Sequence, residues 1–178
     1  MCLTTTVVSN VVHAYSPSDS LSINCNWAKD DFYESEHVFC KLSEIPNASD
    51  GLFAKKAIDK NTVIAYYNGL YIKSGENYKN GSDDYQIYMD WSNTDHSDYI
   101  DVPSNAQSLD SYRASLGHKA NHSFNPNSEY SVAEHPVFGL IVCIKSIKKL
   151  SKEEEILCHY KYDISTAPQW YQDAWDHY

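Results

Sequence analysis

The chain is short of positive charge. Its 178 residues carry 14 lysines plus arginines against 24 aspartates plus glutamates, a formal charge of −10, and Arg113 is the sole arginine. A nucleic-acid binder needs cations to neutralise phosphates, so that class is disfavoured and a cationic partner fits better. The five cysteines, Cys2, Cys25, Cys40, Cys143 and Cys158, contain no Cys-x-x-Cys pair. Zinc-ribbon and dithiol redox spacings are therefore missing, and reduced thiols in a nuclear or cytoplasmic protein are the simplest reading. No apolar run approaches the roughly 20 residues that cross a bilayer. The opening stretch has no basic segment of the kind that starts a secretory signal. Residues 1–31, rich in Ser, Thr and Asn and without a sustained period, read as a partly disordered leader. The length suits one domain with one sizeable core. What is abundant is tyrosine, with 15 copies.

From residue 32 the signals are short and β-like. Val38 to Leu42 reads as a strand, and Gly51 restarts the chain after a loop through Pro46, Asn47 and Asp50. Val63 to Tyr67, Asn68-Gly69 and Leu70 to Ile72 together predict a hairpin, because Asn-Gly tolerates the positive φ angles of a type I′ turn. A second Asn-Gly at 80 and 81 predicts another bend, with strands at Tyr85 to Trp91 and Tyr99 to Val102. Residues 108 to 120 predict a short helix closed by Gly117. Val137 to Ile144 and Glu155 to Tyr160 predict further strands around a charged bend. Trp170, Tyr171, Ala174, Trp175 and Tyr178 then repeat at helical spacing behind Pro168 and predict a terminal helix with one apolar face. The outcome is a mainly β chain with short helices: a leader over 1–31, one domain over 32–163 and a C-terminal helix over 164–178. Repeated strand-and-helix units are disfavoured for want of long helical segments.

Two constellations carry chemistry. The first is Gly117-His118-Lys119-Ala120-Asn121-His122-Ser123-Phe124, too dense in donors to be filler. His118 and His122 at a spacing of four could hold a metal, but no glutamate follows His118 and no third ligand is signalled. Ser123 or Cys143 could serve as a nucleophile, but neither sits in an elbow or protease motif. The third reading is a binding loop in which Asn121 and His122 make directional hydrogen bonds. The second constellation is Tyr160-x-Tyr162, with Tyr67 beside the predicted hairpin and Tyr130 beyond an Asn-Pro-Asn turn. Any one of these tyrosines alone reads as a structural residue, with a buried ring and a wet hydroxyl.

In order along the chain, Gly51-Leu52-Phe53-Ala54-Lys55, Tyr67-Asn68-Gly69, Ser115 to Phe124, His135-Pro136-x-Phe138-Gly139 and Tyr160-x-Tyr162-Asp163 resemble the motifs of the SET-domain protein lysine methyltransferases, and most of all their mono-methylating branch. The resemblance runs from about residue 33 to 175, and the MORN repeats that precede the domain in that branch have no counterpart in it. It implies a SET-domain β-clip fold whose C-terminal Tyr-x-Tyr segment passes under a loop near Asn121 in a pseudoknot, followed by a C-terminal helix. It implies S-adenosylmethionine as the cofactor, a lysine-containing protein or peptide such as the histone H3 tail as the partner, and no metal.

By position, the resemblance makes Tyr160 the catalytic tyrosine and Tyr162 a lining residue of the lysine channel. Tyr67 and Tyr130 become the two residues that bind the amine and crowd out a bulkier product. Asn121 and His122 become the cofactor-binding pair, with Lys119, Ala48 and Asp50 beside them and Trp170 stacked on adenine. Three positions depart from the family pattern. Ser49 replaces the first glycine of a Gly-x-Gly, Ala174 stands where a glutamate is expected, and Lys161 replaces a small glycine between the channel tyrosines. These departures leave open an alternative function, a catalytically silent SET-like interaction module.

Overall fold

In the computed structural model the residues described are 28–73, 75, 85–88, 98–102 and 104–177. The predicted leader up to residue 27, the second Asn-Gly and the segment from 89 to 97 lie outside them.

The domain opens with a one-turn helix, α1 (Phe32–Ser35), capped by the Asp31 carboxylate, which accepts from the Tyr33 and Glu34 amides. The sequence reading missed this helix because four residues carry no period. Strand β1 (Val38–Leu42) is where it was expected and pairs antiparallel with β2 (Asp50–Ala54). β3 (Val63–Tyr67) pairs with β9 (Gly139–Ser146), which also pairs with β8 (Ser128–His135). β4 (Leu70–Ile72) and β5 (Gln86–Tyr88) flank β6 (Tyr99–Asp101) in a third sheet. Two-residue strands β7 (Asn121–His122) and β10 (Leu157–Cys158) run parallel, and α2 (Gln169–Trp175) ends the described chain.

Three expectations are corrected. The Asn68-Gly69 pair does not close a hairpin, because β3 and β4 belong to different sheets. Asn68 is buried, its amide donates to Ser115 Oγ, and a Cβ on Gly69 would stand 2.4 Å from the Asp101 carbonyl. The glycine is needed for a close backbone approach, not for a turn. Residues 108 to 120 form no α-helix. A turn at Ser108 to Tyr112 is followed by a 3-10 turn over Gly117–Lys119. Gly117 opens that turn, and its missing Cβ would lie 2.5 Å from the Tyr66 carbonyl. The terminal helix is real, but of its apolar face only Tyr171 is buried among the described residues, while Trp170 and Trp175 are 50% and 49% exposed.

β8 was not anticipated because its Ser, Glu and His residues break the apolar alternation. The Val137–Ile144 expectation falls on β9, displaced by the turn that His135 organises. Its Nδ1 accepts from the Val137 and Phe138 amides, which assigns a ring proton to Nε2, facing Asp31 Oδ2 at 2.9 Å. The strand expected over Glu155 to Tyr160 shrinks to β10, with Glu155 bridging Phe53 ahead of it.

Two apolar clusters form the core. One packs β1, β2, β3 and β9 around Leu52, Ile64, Ile144 and Ile156, and the other surrounds Ile100, Val102 and Tyr112. Tyr130 touches both. β10 reaches the first constellation by the pairing Leu157↔Asn121 and Cys158↔His122. Asn127 fixes it there, donating from Nδ2 to the Glu155 carbonyl and accepting the Leu157 amide on Oδ1. This is the meeting of distant segments that the pseudoknot expectation requires.

Candidate active site

The four tyrosines form a chain of rings. Centroid distances are 6.2 Å from Tyr67 to Tyr130, 6.5 Å from Tyr130 to Tyr160 and 5.6 Å from Tyr160 to Tyr162. They come from β3, β8 and the stretch after β10, three pieces of backbone brought together by the β3-β9-β8 sheet, the β7-β10 pairing and the packing of β10 on β8. The Tyr67 hydroxyl donates to the Tyr85 carbonyl at 2.7 Å and the Tyr160 hydroxyl to the Ala120 carbonyl at 2.9 Å. Burial, followed by neighbouring phenols and thiols, holds the hydroxyls of Tyr67, Tyr130 and Tyr160 well above the ordinary tyrosine range. They remain protonated at any physiological pH.

Beside these rings is a cavity of about 230 Å³, walled by Ser49, Asp50, Tyr85, His118, Lys119, Asn121, Tyr160, Tyr162, Pro168 and Trp170. Of the ten residues singled out in the sequence, Tyr160, Tyr162, Asp50, Lys119, Asn121 and Trp170 reach it. Tyr67 and Tyr130 stand behind Tyr160 in the ring chain, and His122 touches the rings of Tyr160 and Trp170. Ala48 does not reach the cavity. It closes a turn onto the Ile45 carbonyl, just ahead of Ser49.

His122 is the hinge between the two constellations. Its Nδ1 accepts the Tyr160 amide at 3.1 Å. Burial, then the neighbouring His159, pushes its pKa down to about 4, so the ring is neutral. With Nδ1 accepting, the proton sits on Nε2, a buried donor without a partner among the described residues. His118 faces elsewhere, its ring among those of Tyr67, Tyr85 and Tyr112. Burial, then the charge of Lys119, lowers its pKa to about 3. The chain leaves the 3-10 turn before Asn121, so the two imidazoles do not share a helical face, and the metal reading loses its geometry.

Lys119, only 7% exposed, donates to Asp50 Oδ2 at 3.2 Å and to the Gln107 carbonyl at 2.8 Å. Asn121 Nδ2 donates to the Asp50 carbonyl and to Glu155 Oε1, each at 3.1 Å. Lys161, where the family pattern expects glycine, has φ of 55°, a left-handed conformation that a glycine adopts without cost. Sequence reasoning missed Tyr85 and Glu155. Tyr85 read as the first residue of a strand, and Glu155 is the last of three glutamates in what looks like a solvated charged bend.

A family model described as "SET domain" matches residues 49–161. Over 154 residues the chain is 40% identical to the protein named Histone-lysine N-methyltransferase SETD7 of Halocynthia roretzi, a match covering 80% of this chain and 38% of that protein. The chain thus spans well under half the length of that relative. A crystal structure described as that of a histone methyltransferase of Plasmodium falciparum aligns with a TM-score of 0.48 at 18% identity, covering 72% of this chain and 96% of the other. With the matched family segment spanning more than half of the sequence and containing Asn121, His122, Tyr130 and Tyr160, the chain belongs to the SET-domain family.

Proposed function

We propose that the chain is an S-adenosylmethionine-dependent protein-lysine N-methyltransferase that adds one methyl group to a lysine in a basic protein segment, with a histone H3 tail as the first substrate to try. The observation that carries this reading is the pair of hydroxyls on Tyr67 and Tyr160, each already donating to a main-chain carbonyl. A phenol has one proton, so an oxygen that has spent it can only accept. A neutral amine has two N–H groups and one lone pair. Two fixed acceptors hold the N–H groups and leave the lone pair in one direction, which is what in-line attack needs. Such alignment is worth several kcal/mol, up to roughly 7–11 in the best cases.

The raised pKa values keep these groups as hydroxyls, which hold a neutral amine without the charge that would favour ammonium. Aromatic walls act in the same sense by excluding water. Tyr130, crowded against Tyr67 and Tyr160, limits the space left for a second methyl. The acidity of the chain steers a basic peptide to the channel and takes no part in the chemistry.

When bound, S-adenosylmethionine supplies a methyl group activated on a sulfonium. The donor set fits such a group. The Nε2 proton of His122 is a buried donor lacking a partner among the described residues, and Lys119, Asn121, Asp50 and Trp170 line one cavity, which joins a cation, an amide, a carboxylate and an indole in its wall. Lys119, Asn121, His122 and Trp170 would hold it, with Ala48 and Asp50 at the loop edge. The reaction as written needs no metal. The name of the Halocynthia roretzi relative supports the same activity. Transfer of labelled methyl groups to a lysine peptide array tests the proposal, and absence of transfer with cofactor bound contradicts it.

One observation favours the silent-module alternative. The Asp50 carboxylate already occupies Lys119, and Ser49 and Ala174 depart from the family pattern. Calorimetry with S-adenosylmethionine separates the two, since a silent module fails to bind even at millimolar concentration.

A further inference from the structure

Glu155 is a carboxylate only 5% exposed, and it has no part in the proposed chemistry. A buried carboxylate is costly unless its oxygens are hydrogen-bonded. Those of Glu155 are. Oε1 accepts from the Ser43 hydroxyl at 2.6 Å and from Asn121 Nδ2 at 3.1 Å, and Oε2 accepts the Glu44 amide at 2.9 Å. Space for it is made by Gly51, where an added Cβ would lie 2.4 Å from Oε1. One side chain thus clasps the start of the 43–50 loop, the β2 strand and Asn121.

We infer that Glu155 is a positioning residue for the cofactor, acting through Asn121 and the 43–50 loop; the inference rests on the methyltransferase reading above. The amide of Asn121 has two protons, and Glu155 and the Asp50 carbonyl take both. Its Oδ1 is left as the free end, an acceptor in the cavity wall suited to the cationic amino group of an amino acid. A glutamine at 155 loses this control. It has one acceptor oxygen, and its NH₂ confronts either the Glu44 amide or the Asn121 amide, so the Asn121 side chain is free to turn its donors outward. The same carboxylate holds the loop that carries Ser49 and Asp50, where the family glycine has been lost. A side-chain clasp replaces backbone compactness there.

The test measures calorimetric Kd for S-adenosylmethionine, and steady-state constants, on the whole chain. Glu155→Gln is expected to weaken Kd and raise the cofactor KM about tenfold, the scale of one lost charge-assisted hydrogen bond. kcat at saturating cofactor and the peptide KM should stay as in wild type. Glu153→Gln, which removes the same charge from an exposed neighbour, should leave Kd unchanged. Ser43→Ala removes one donor from the carboxylate and should weaken Kd by a few-fold, so it decides the matter if Glu155→Gln does not fold. Wild-type Kd in both Glu155→Gln and Ser43→Ala overturns the inference alone, as does an equal loss in kcat and in both KM values. A wild-type chain that binds no cofactor overturns the inference together with the reading on which it rests.

Discussion

Gly117→Ala probes the joint between fold and chemistry. The added Cβ would meet the Tyr66 carbonyl oxygen at 2.5 Å, its carbon at 2.8 Å and the Tyr67 nitrogen at 3.1 Å. All three are backbone atoms and cannot rotate away, so β3 and the 3-10 turn must separate by roughly half an ångström to one ångström. Overpacking of this kind costs about 1–3 kcal/mol. In a domain of this size each kcal/mol lowers Tm by about 2–4 °C. The turn also leads to Ala120, whose carbonyl holds the Tyr160 hydroxyl, and β3 carries Tyr67. Separating them pulls the two acceptors apart, and a misplacement near 1 Å costs up to about 100-fold in rate. Gly139→Ala is the control. Gly139 has φ of 73° with nothing within 4 Å of its missing Cβ, so alanine there costs about 1–2 kcal/mol of backbone strain far from the tyrosines. Thermal melts and kcat at saturating substrates should show both variants destabilised and only Gly117→Ala slowed. A Gly117→Ala chain with lowered Tm and wild-type kcat refutes the link between this turn and the proposed channel.

Tyr130→Phe removes a hydroxyl from the ring flanked by Tyr67 and Tyr160 and should shift product toward dimethyl-lysine; a mass spectrum still showing only monomethyl product counts against that role. Asn127→Ala strips three anchors from β10 and the two glutamates ahead of it and should cost about 2–4 kcal/mol in denaturant titration, several buried hydrogen bonds being lost together. A loss below half a kcal/mol contradicts that anchoring. The pH dependence follows from His122, whose pKa of about 4 when folded lies below its value near 6.5 when unfolded. Above about 6.5 it contributes no slope. As pH falls from there toward about 4, the unfolded chain takes up the proton first and stability declines. His118, held to about 3, acts in the same sense, while Glu34, raised by burial, slopes the other way. The diagnostic quantity is therefore the difference between wild type and His122→Gln. Wild type should lose stability relative to the variant across that window, and parallel curves would exclude the assignment.

The residues that meet at the site were legible because their chemistry is local: an Asn-His pair, a Tyr-x-Tyr and a Trp keep their character wherever the chain runs. Their convergence was legible only through resemblance, since nothing in the spacing of Asn121 and Tyr160 dictates that β10 lies beside β7. The errors share a cause. Asn68-Gly69 carries turn chemistry, but which strand pairs with β3 is decided by the buried face of β9, far along the chain. Gly117 looks like a helix stop because its partner, the Tyr66 carbonyl, cannot be seen from neighbouring residues. Glu155 is indistinguishable from solvated Glu153 until Ser43, Glu44 and Asn121 close around it. Lys161 is the reverse case. Its departure from glycine was visible in the sequence, and its positive φ supplies the reason for the glycine.

The most direct test of the central claim is mass spectrometry of lysine peptides incubated with S-adenosylmethionine and either the wild-type chain or Tyr160→Phe. The tyrosine-channel account predicts a single added methyl on lysine with wild type and a severe loss with Tyr160→Phe, both proteins being folded and cofactor-bound by calorimetry. Cofactor-bound wild type that methylates nothing, or a Tyr160→Phe chain that methylates equally well, contradicts it.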